Sequence, residues 1–145
     1  KEFSLNDNIK FNIPQKITDI AEKISKKLGI YTCVHIRRND RNNKKIDIYT
    51  KSDNIIKKLK EINSPKTIYI MTDEKNINIF KKISDFYNVK YYFDFEELKN
   101  IKQQDNYYLF QIENEIMSNA NKRISTFKTQ NPYYHNYLVN KNGFQ

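Results

Sequence analysis

Apolar residues along the chain alternate between two spacings, one typical of a helix face and one typical of a buried strand. Between Pro14 and Gly29 an apolar residue recurs every three or four positions, at Ile17, Ile20, Ala21, Ile24 and Leu28. Pro14 suits the start of a helix and Gly29 its end. The run 30–36 is rich in β-branched and aromatic side chains, as a buried strand is. We predict a helix followed directly by a strand, with residues 1–13 as a linker or the remnant of an upstream connection.

The same alternation continues through residue 125. We predict a second helix at 52–62, with Ser52 or Asp53 as its N-cap, and a second buried strand at 67–71. The remaining predicted elements are a third helix capped by Thr72, Asp73 and Glu74 with Ile77, Phe80, Ile83 and Phe86 facing inward, a strand at 89–93, a helix at 106–120 and a strand at 122–125. Strands separated by such helices indicate βαβ units. The predicted fold class is α/β, a single domain over 14–145 with a mostly parallel sheet.

Composition narrows the classes of function. The 145 residues hold 26 Lys and Arg against 17 Asp and Glu, a net charge of +9 that suits an anionic partner. The lysines are spread over nearly every predicted helix, which argues against nucleic acid, because a nucleic-acid footprint is clustered. With only two Gly the chain cannot build a glycine-rich phosphate loop. No apolar run is long enough to predict a transmembrane segment, and the lone Cys33 is expected to fill the core.

The first predicted strand ends in charged side chains, with His35, Arg37, Arg38 and Asp40 inside six positions. In open α/β sheets ligands bind at the carboxyl ends of strands. Two guanidiniums there suit a phosphate, since each binds bidentately. A surface arginine pair in a basic protein is the alternative interpretation, and the dipeptide alone does not decide between them.

Glu113 falls near the middle of an apolar stripe on the predicted helix at 106–120. The stripe consists of Leu109, Phe110, Ile112, Ile116, Met117 and Ala120. A buried carboxylate needs a partner, so either an internal Arg or Lys neutralises Glu113, or it faces a pocket and accepts hydrogen bonds from a ligand such as a guanine edge. The hydroxyls of Ser125 and Thr126 suit either phosphate oxygens or plain capping. The acidic run 94–97 is interpreted as a strand end and the first turn of a helix rather than a metal site.

These separate pieces occur in the order of the motifs of a known family. Residues 35–40 (His-Ile-Arg-Arg-Asn-Asp) resemble the H-x-R-R-x-D motif of GDP-fucose-dependent fucosyltransferases, especially the α1,6- and protein O-fucosyltransferase group. Residues 69–74 (Tyr-Ile-Met-Thr-Asp-Glu) are similar to its second motif, an apolar strand ending in Thr-Asp-Asp/Glu. Glu113 with residues 125–127 (Ser-Thr-Phe) is similar to the third.

The resemblance implies a three-layer Rossmann-like domain, the carboxy-terminal, donor-binding half of a GT-B glycosyltransferase. Such an enzyme transfers fucose from GDP-fucose with inversion and without a metal or other cofactor. Arg37 would be catalytic, contacting the β-phosphate, and His35 and Glu113 would face the guanine. The other residues expected to bind the GDP-sugar are Arg38, Asp40, Thr72, Asp73, Ser125, Thr126 and Phe127. The implied partners are the nucleotide-sugar donor, a glycan or protein acceptor and an upstream acceptor-binding domain. The compartment would be the cytoplasm in a microbe and the Golgi or ER lumen in a eukaryote.

The chain departs from the family in the loop after the first motif. Some α1,6 members carry a Glu there as acceptor base, whereas residues 42–45 are Asn-Asn-Lys-Lys, so no base is assigned and Asp40 and Asp47 are the candidates. Glu113 also stands where Asp is usual. The alternative hypotheses are a catalytically incomplete binding or scaffold module, a basic nucleic-acid binder, and an unrelated nucleotide-binding α/β protein.

Overall fold

Four parallel strands form the centre of the computed structural model, which describes residues 14–38 and 50–126. The strands are β1 (Tyr31–Ile36), β2 (Thr67–Thr72), β3 (Asn88–Lys90) and β4 (Lys122–Ser125). Their order in the sheet is β3-β2-β1-β4, and every neighbouring pair is parallel. The predicted α/β class with a parallel sheet is therefore confirmed, and the order is compatible with a Rossmann-like fold. The predicted linker 1–13 and the site residues Asp40 and Phe127 lie outside the described residues, as does Asp47.

Helices connect the strands. They are α1 (Gln15–Leu28), α2 (Ser52–Glu61), α3 (Glu96–Gln104) and α4 (Asn106–Asn119), together with the 3-10 helices Ile77–Asp85 and Tyr92–Asp94. Pro14 is the N-cap of α1, and Gly29 ends it with a φ of 75°, a left-handed conformation that favours glycine. Asp105 caps α4 by accepting hydrogen bonds from the backbone of Tyr107 and Tyr108. None of the helices among residues 14–38 and 50–126 is both long and apolar enough to cross a membrane.

The sheet has a different hydrophobic core on each of its faces, because successive strand residues point to opposite faces. On the face that we call the α4 side, Tyr31, Cys33, Tyr69 and Met71 pack with α1, α3 and α4. On the opposite face, the α2 side, Val34, Ile36, Ile68, Ile70 and Ile124 pack with α2 and the 77–85 helix. Cys33 is fully buried, as expected of a core side chain.

The third predicted helix differs from the prediction in type and in its outer residue. It is a 3-10 helix that ends at Asp85. Phe80 and Ile83 are buried, since three residues per turn place them on one face, but Phe86 follows the end of the helix and is 42% exposed. Its N-cap is Asn76, with no side-chain cap.

Thr72, Asp73 and Glu74 therefore do not cap this helix as predicted. Thr72 accepts a hydrogen bond from the backbone of Glu74, whose carboxylate accepts one from the backbone of Asn76. These bonds organise the turn between β2 and the 3-10 helix. The carboxylate of Asp73 instead accepts a hydrogen bond from the backbone N–H of Arg38, two residues after the end of β1.

The bounds of two other elements also differ from the predicted ones. β3 ends at Lys90 rather than at residue 93, because Tyr91 begins a 3-10 turn in which Asp94 accepts a hydrogen bond from the Tyr91 backbone. The N-cap of α2 is Lys51, since the Ser52 hydroxyl donates to the carbonyl of Ile79 instead of capping.

Two further predictions concern the helices on the α4 side. Phe110, which was predicted to belong to the buried apolar stripe of α4, is 42% exposed. The predicted acidic first turn is confirmed in α3, which begins at Glu96.

Candidate functional site

The carboxyl ends of β1, β2 and β4 lie side by side at one edge of the sheet. His35 on β1 lies opposite Met71 on β2 and Ser125 on β4, and Ile36 lies opposite Thr72. The backbone N–H of Thr126 donates to the carbonyl of His35 at 3.1 Å, and its hydroxyl donates to the same oxygen at 3.3 Å. Parts of all three sequence motifs therefore meet at this edge.

Arg38 ties the first motif to the second. Its backbone N–H donates to Asp73 Oδ1 at 2.8 Å, and its Nη1 donates to Glu74 Oε1 at 2.7 Å. Both partners of the ion pair are largely buried, with 20% and 17% of their side chains exposed. Asp73 thus holds the backbone that follows β1, and Glu74 balances the charge of Arg38. Arg37, which lies between Ile36 and Arg38, is half-buried at the same edge.

Glu113 points from α4 to the sheet and accepts a hydrogen bond from Tyr69. The Tyr69 hydroxyl lies 2.7 Å from Glu113 Oε2, and Tyr69 is opposite Cys33 in the strand register. Only 8% of Glu113 is exposed. Among the described residues, its hydrogen-bond partner is therefore this neutral hydroxyl and not an internal Arg or Lys, and the alternative that Glu113 contacts a ligand stays a prediction.

Burial dominates the electrostatics around Glu113. Loss of water raises the pKa of Glu113 to about 7, against the lowering effects of the Tyr69 hydrogen bond and of the charge of Lys102. Burial and the Glu113 charge together raise the pKa values of Tyr69 and Cys33. Tyr69 therefore stays a hydrogen-bond donor, and Glu113 changes charge near neutral pH.

The direction of α4 relates Glu113 to the candidate edge. The C-terminal end of α4 is fixed beside the start of β1, because the Tyr31 hydroxyl donates to the carbonyl of Ile116 at 2.6 Å. Arg123 Nε likewise donates to the carbonyl of Met117 at 2.7 Å. The N-terminal half of α4 consequently extends toward the carboxyl edge. Glu113 lies on the α4 side, level with Cys33 and two strand positions before His35.

Sequence reasoning missed two buried polar groups here. Tyr69 was treated only as part of an apolar strand, although the two-residue alternation from Met71 would have placed it on the α4 side. Asn114 is 3% exposed, and its side-chain oxygen has no hydrogen-bond partner among residues 14–38 and 50–126. Its position beside Glu113 in the sequence gave no such signal, because Asn is ordinary on an exposed helix face.

Two cavities lie away from this edge. A groove of about 530 Å³ between α1 and α4 is lined by residues that include Ser25, Tyr31 and Asn119. A smaller cavity of about 230 Å³ lies at the amino ends of β2 and β3, beside Thr67 and Asn88. Within the described part of the chain, no group of three or more His, Cys, Asp or Glu side chains could hold a metal ion.

No protein-family model matches the chain, and no curated protein matches it either. A function for the candidate edge must therefore be argued from the contacts themselves and from the motif resemblance.

Proposed function

We propose that this chain is the donor-binding domain of a GDP-sugar glycosyltransferase of the fucosyltransferase type, with the nucleotide bound at the carboxyl edge of β1, β2 and β4. The observation that carries the proposal is the meeting of three separate motif segments at that edge, through the register of His35 with Ser125 and the hydrogen bond from Arg38 to Asp73. Such an edge is where open α/β sheets bind nucleotides.

The ion pair of Arg38 with Glu74, at 2.7 Å, joins the backbone that follows β1 to the turn that follows β2. The motif resemblance implies that Arg37 contacts the diphosphate. A fixed cation there meets the negative charge that develops on the leaving GDP.

In the proposed reaction an acceptor hydroxyl attacks the anomeric carbon of the sugar, and the bond from that carbon to the β-phosphate oxygen breaks. GDP departs with the bonding electrons, and the sugar is transferred with inversion. Ser125 and Thr126 lie at the strand end where hydroxyls commonly bond phosphate oxygens. The base that accepts the acceptor's proton stays unassigned.

Calorimetric titration of the full chain with GDP, GDP-fucose, ADP and a short oligonucleotide tests the proposal. We expect binding that prefers the two guanine nucleotides. Arg37→Ala should weaken GDP binding by about 10- to 100-fold, the effect of losing a charged hydrogen bond. Arg37→Lys keeps the charge but not the planar guanidinium, so its GDP affinity should lie between those of the wild type and Arg37→Ala.

Lys57→Ala is the matched control, because Lys57 is an exposed cation on the α2 side; it should leave GDP affinity unchanged. ADP binding as tight as GDP binding would refute the guanine assignment. Equal GDP affinity in Arg37→Ala and the wild type would refute the role of Arg37. Circular dichroism of each variant verifies that it is folded.

A further inference from the structure

Charge is distributed unequally between the two sides of the sheet. Residues 51–66 and 75–87 cover the α2 side, and their exposed surface is called the lysine face here. The lysines of these residues are Lys51, Lys57, Lys58, Lys60, Lys66, Lys75, Lys81 and Lys82, and their acids are Asp53, Glu61 and Asp85. Residues 14–30 and 91–121 on the α4 side carry the lysines Lys16, Lys23, Lys26, Lys27, Lys99 and Lys102 and the acids Asp19, Glu22, Asp94, Glu96, Glu97, Asp105, Glu113 and Glu115. The two sides thus carry similar numbers of lysines, and their charges differ because the acids are concentrated on the α4 side.

Few of the charges on the lysine face cancel one another. Lys82 pairs with Asp53 at 2.6 Å and Lys58 with Glu61 at 3.7 Å. These two pairs use two of the three acids of the face, and lysines such as Lys57 remain exposed. The acids of residues 51–66 and 75–87 are therefore too few to balance the lysines, and the lysine face has a net positive charge.

Two exposed apolar side chains lie among these lysines. Ile79 is 37% and Phe86 42% exposed. The carbonyl of Ile79 accepts a hydrogen bond from Ser52 at the start of α2, and the Phe86 ring lies 4.8 Å from Nζ of Lys60 near the end of α2. Cations and apolar groups therefore run together along the seam between α2 and the 77–85 helix.

We infer that the lysine face binds the surface of an anionic phospholipid membrane. Lysine ammonium groups attract anionic headgroups through diffuse electrostatics, and apolar side chains beside them enter the interface. Single-stranded nucleic acid would instead need open aromatic faces for base stacking. Here the ring of Tyr87 already lies under Lys66, and residues 51–87 contain no arginine.

Vesicle co-sedimentation of the full chain tests this inference. We expect binding to phosphatidylcholine vesicles that contain phosphatidylserine, little binding to phosphatidylcholine alone, and weaker binding as salt is raised. The triple variant Lys57→Gln, Lys60→Gln, Lys81→Gln should bind the anionic vesicles more weakly by a factor on the order of 100. All three side chains are exposed, so the variant should fold.

The matched control removes three exposed lysines from the α4 side, Lys16→Gln, Lys26→Gln and Lys99→Gln, and so changes the net charge equally. Retained binding in this control supports the inference. Equal losses in both triple variants would overturn it, because net charge alone would then explain binding. Failure to bind anionic vesicles, or tighter binding to a short oligonucleotide at the same salt, would also overturn it. Phe86→Ser provides a second readout, because it leaves the net charge unchanged. We expect it to weaken binding to the anionic vesicles several-fold.

Discussion

The two sides of the sheet cover the same strands with different chemistry. On the α2 side the buried cluster is aliphatic apart from one ring, and its members such as Ile55, Leu59 and Ile70 make no polar contacts through their side chains. On the α4 side the buried groups include the Tyr31 hydroxyl, the Cys33 thiol and the hydrogen-bonded pair of Tyr69 and Glu113. Among the described residues, the α2 side therefore combines aliphatic packing with a hydroxyl–hydroxyl hydrogen bond between Thr32 and Ser64, while the α4 side also buries a titratable group.

This difference agrees with the proposed place of the donor site. A buried carboxyl whose pKa is raised by loss of water opposes folding whenever it is ionised. A core built only for stability has no need of such a group, and strongly shifted pKa values cluster at functional sites. Glu113 lies on the side that His35 also faces, below the edge where the three motifs meet.

Truncation of a buried side chain on the α2 side should cause the largest loss of stability. Phe80 is fully buried in the α2-side cluster. Phe80→Ala should lower the free energy of unfolding by about 3 to 5 kcal/mol, because it removes buried apolar surface and leaves a cavity. Urea unfolding followed by far-UV circular dichroism measures this, since the chain has no Trp for fluorescence.

Phe86→Ala is the matched control for that substitution. It makes the same chemical change six positions along, at a ring that is 42% exposed, and should lower the free energy of unfolding by less than about 1 kcal/mol. Similar losses in the two variants would mean that the 77–85 helix does not anchor the α2 side as described.

Glu113 should make stability depend on pH. Its pKa in the folded protein is raised from 4.5 to about 7, so the folded state holds the proton more tightly than the unfolded state does. The stabilisation that protonation provides is complete below about pH 4.5 and is lost as pH rises through 7. Glu113→Gln cannot ionise, and it should exceed the wild type in free energy of unfolding by about 3 kcal/mol at pH 8.

Urea unfolding of both proteins between pH 4.5 and 8 tests this comparison. The two curves should approach each other at the acid end. Glu22→Gln is the control, since Glu22 is an exposed carboxyl in a surface pair with Lys26, where little stability is at stake. A wild-type curve parallel to that of Glu113→Gln over the whole range would show that the pKa of Glu113 is the same in the folded and the unfolded protein.

The sequence was most informative where one physical rule acts alone. The spacing from Ile17 to Leu28, bounded by Pro14 and Gly29, predicted α1 almost to the residue. The 77–85 segment was harder, because Phe80 and Ile83 satisfy a three-residue and a 3.6-residue period equally well over so short a run. Periodicity therefore identified its buried face but not its helix type.

The candidate site was less accessible to sequence reasoning, because its contacts join distant segments. Glu113 was identified from its place in an apolar stripe, but its partner Tyr69 is 44 residues away and had no polar signature. In the same way, the pairing of Arg38 with Glu74 depends on the register of β1 with β2. Patterns within one element find a buried polar group, whereas only the fold supplies its partner.

The smallest effect expected on the α4 side concerns the Tyr69 hydroxyl itself. Its hydrogen bond lowers the pKa of Glu113 against the larger effect of burial, so it stabilises the ionised carboxylate. Tyr69→Phe should lower the free energy of unfolding by about 2 kcal/mol at pH 8, where the bond is charge-assisted, and by less at pH 5. Removal of the bond should also shift the loss of stability to higher pH than in the wild type.

A double-mutant cycle with Glu113→Gln isolates this contact, because the two side chains touch directly at 2.7 Å. In the Glu113→Gln background the effect of Tyr69→Phe should become independent of pH, since no carboxylate remains to titrate there. If the effect of Tyr69→Phe were the same at pH 5 and pH 8 in the wild-type background as well, the hydroxyl would not be bonded to a titrating group. The contrast between the two sides of the sheet would then be one of polarity only, with no buried charge on the α4 side.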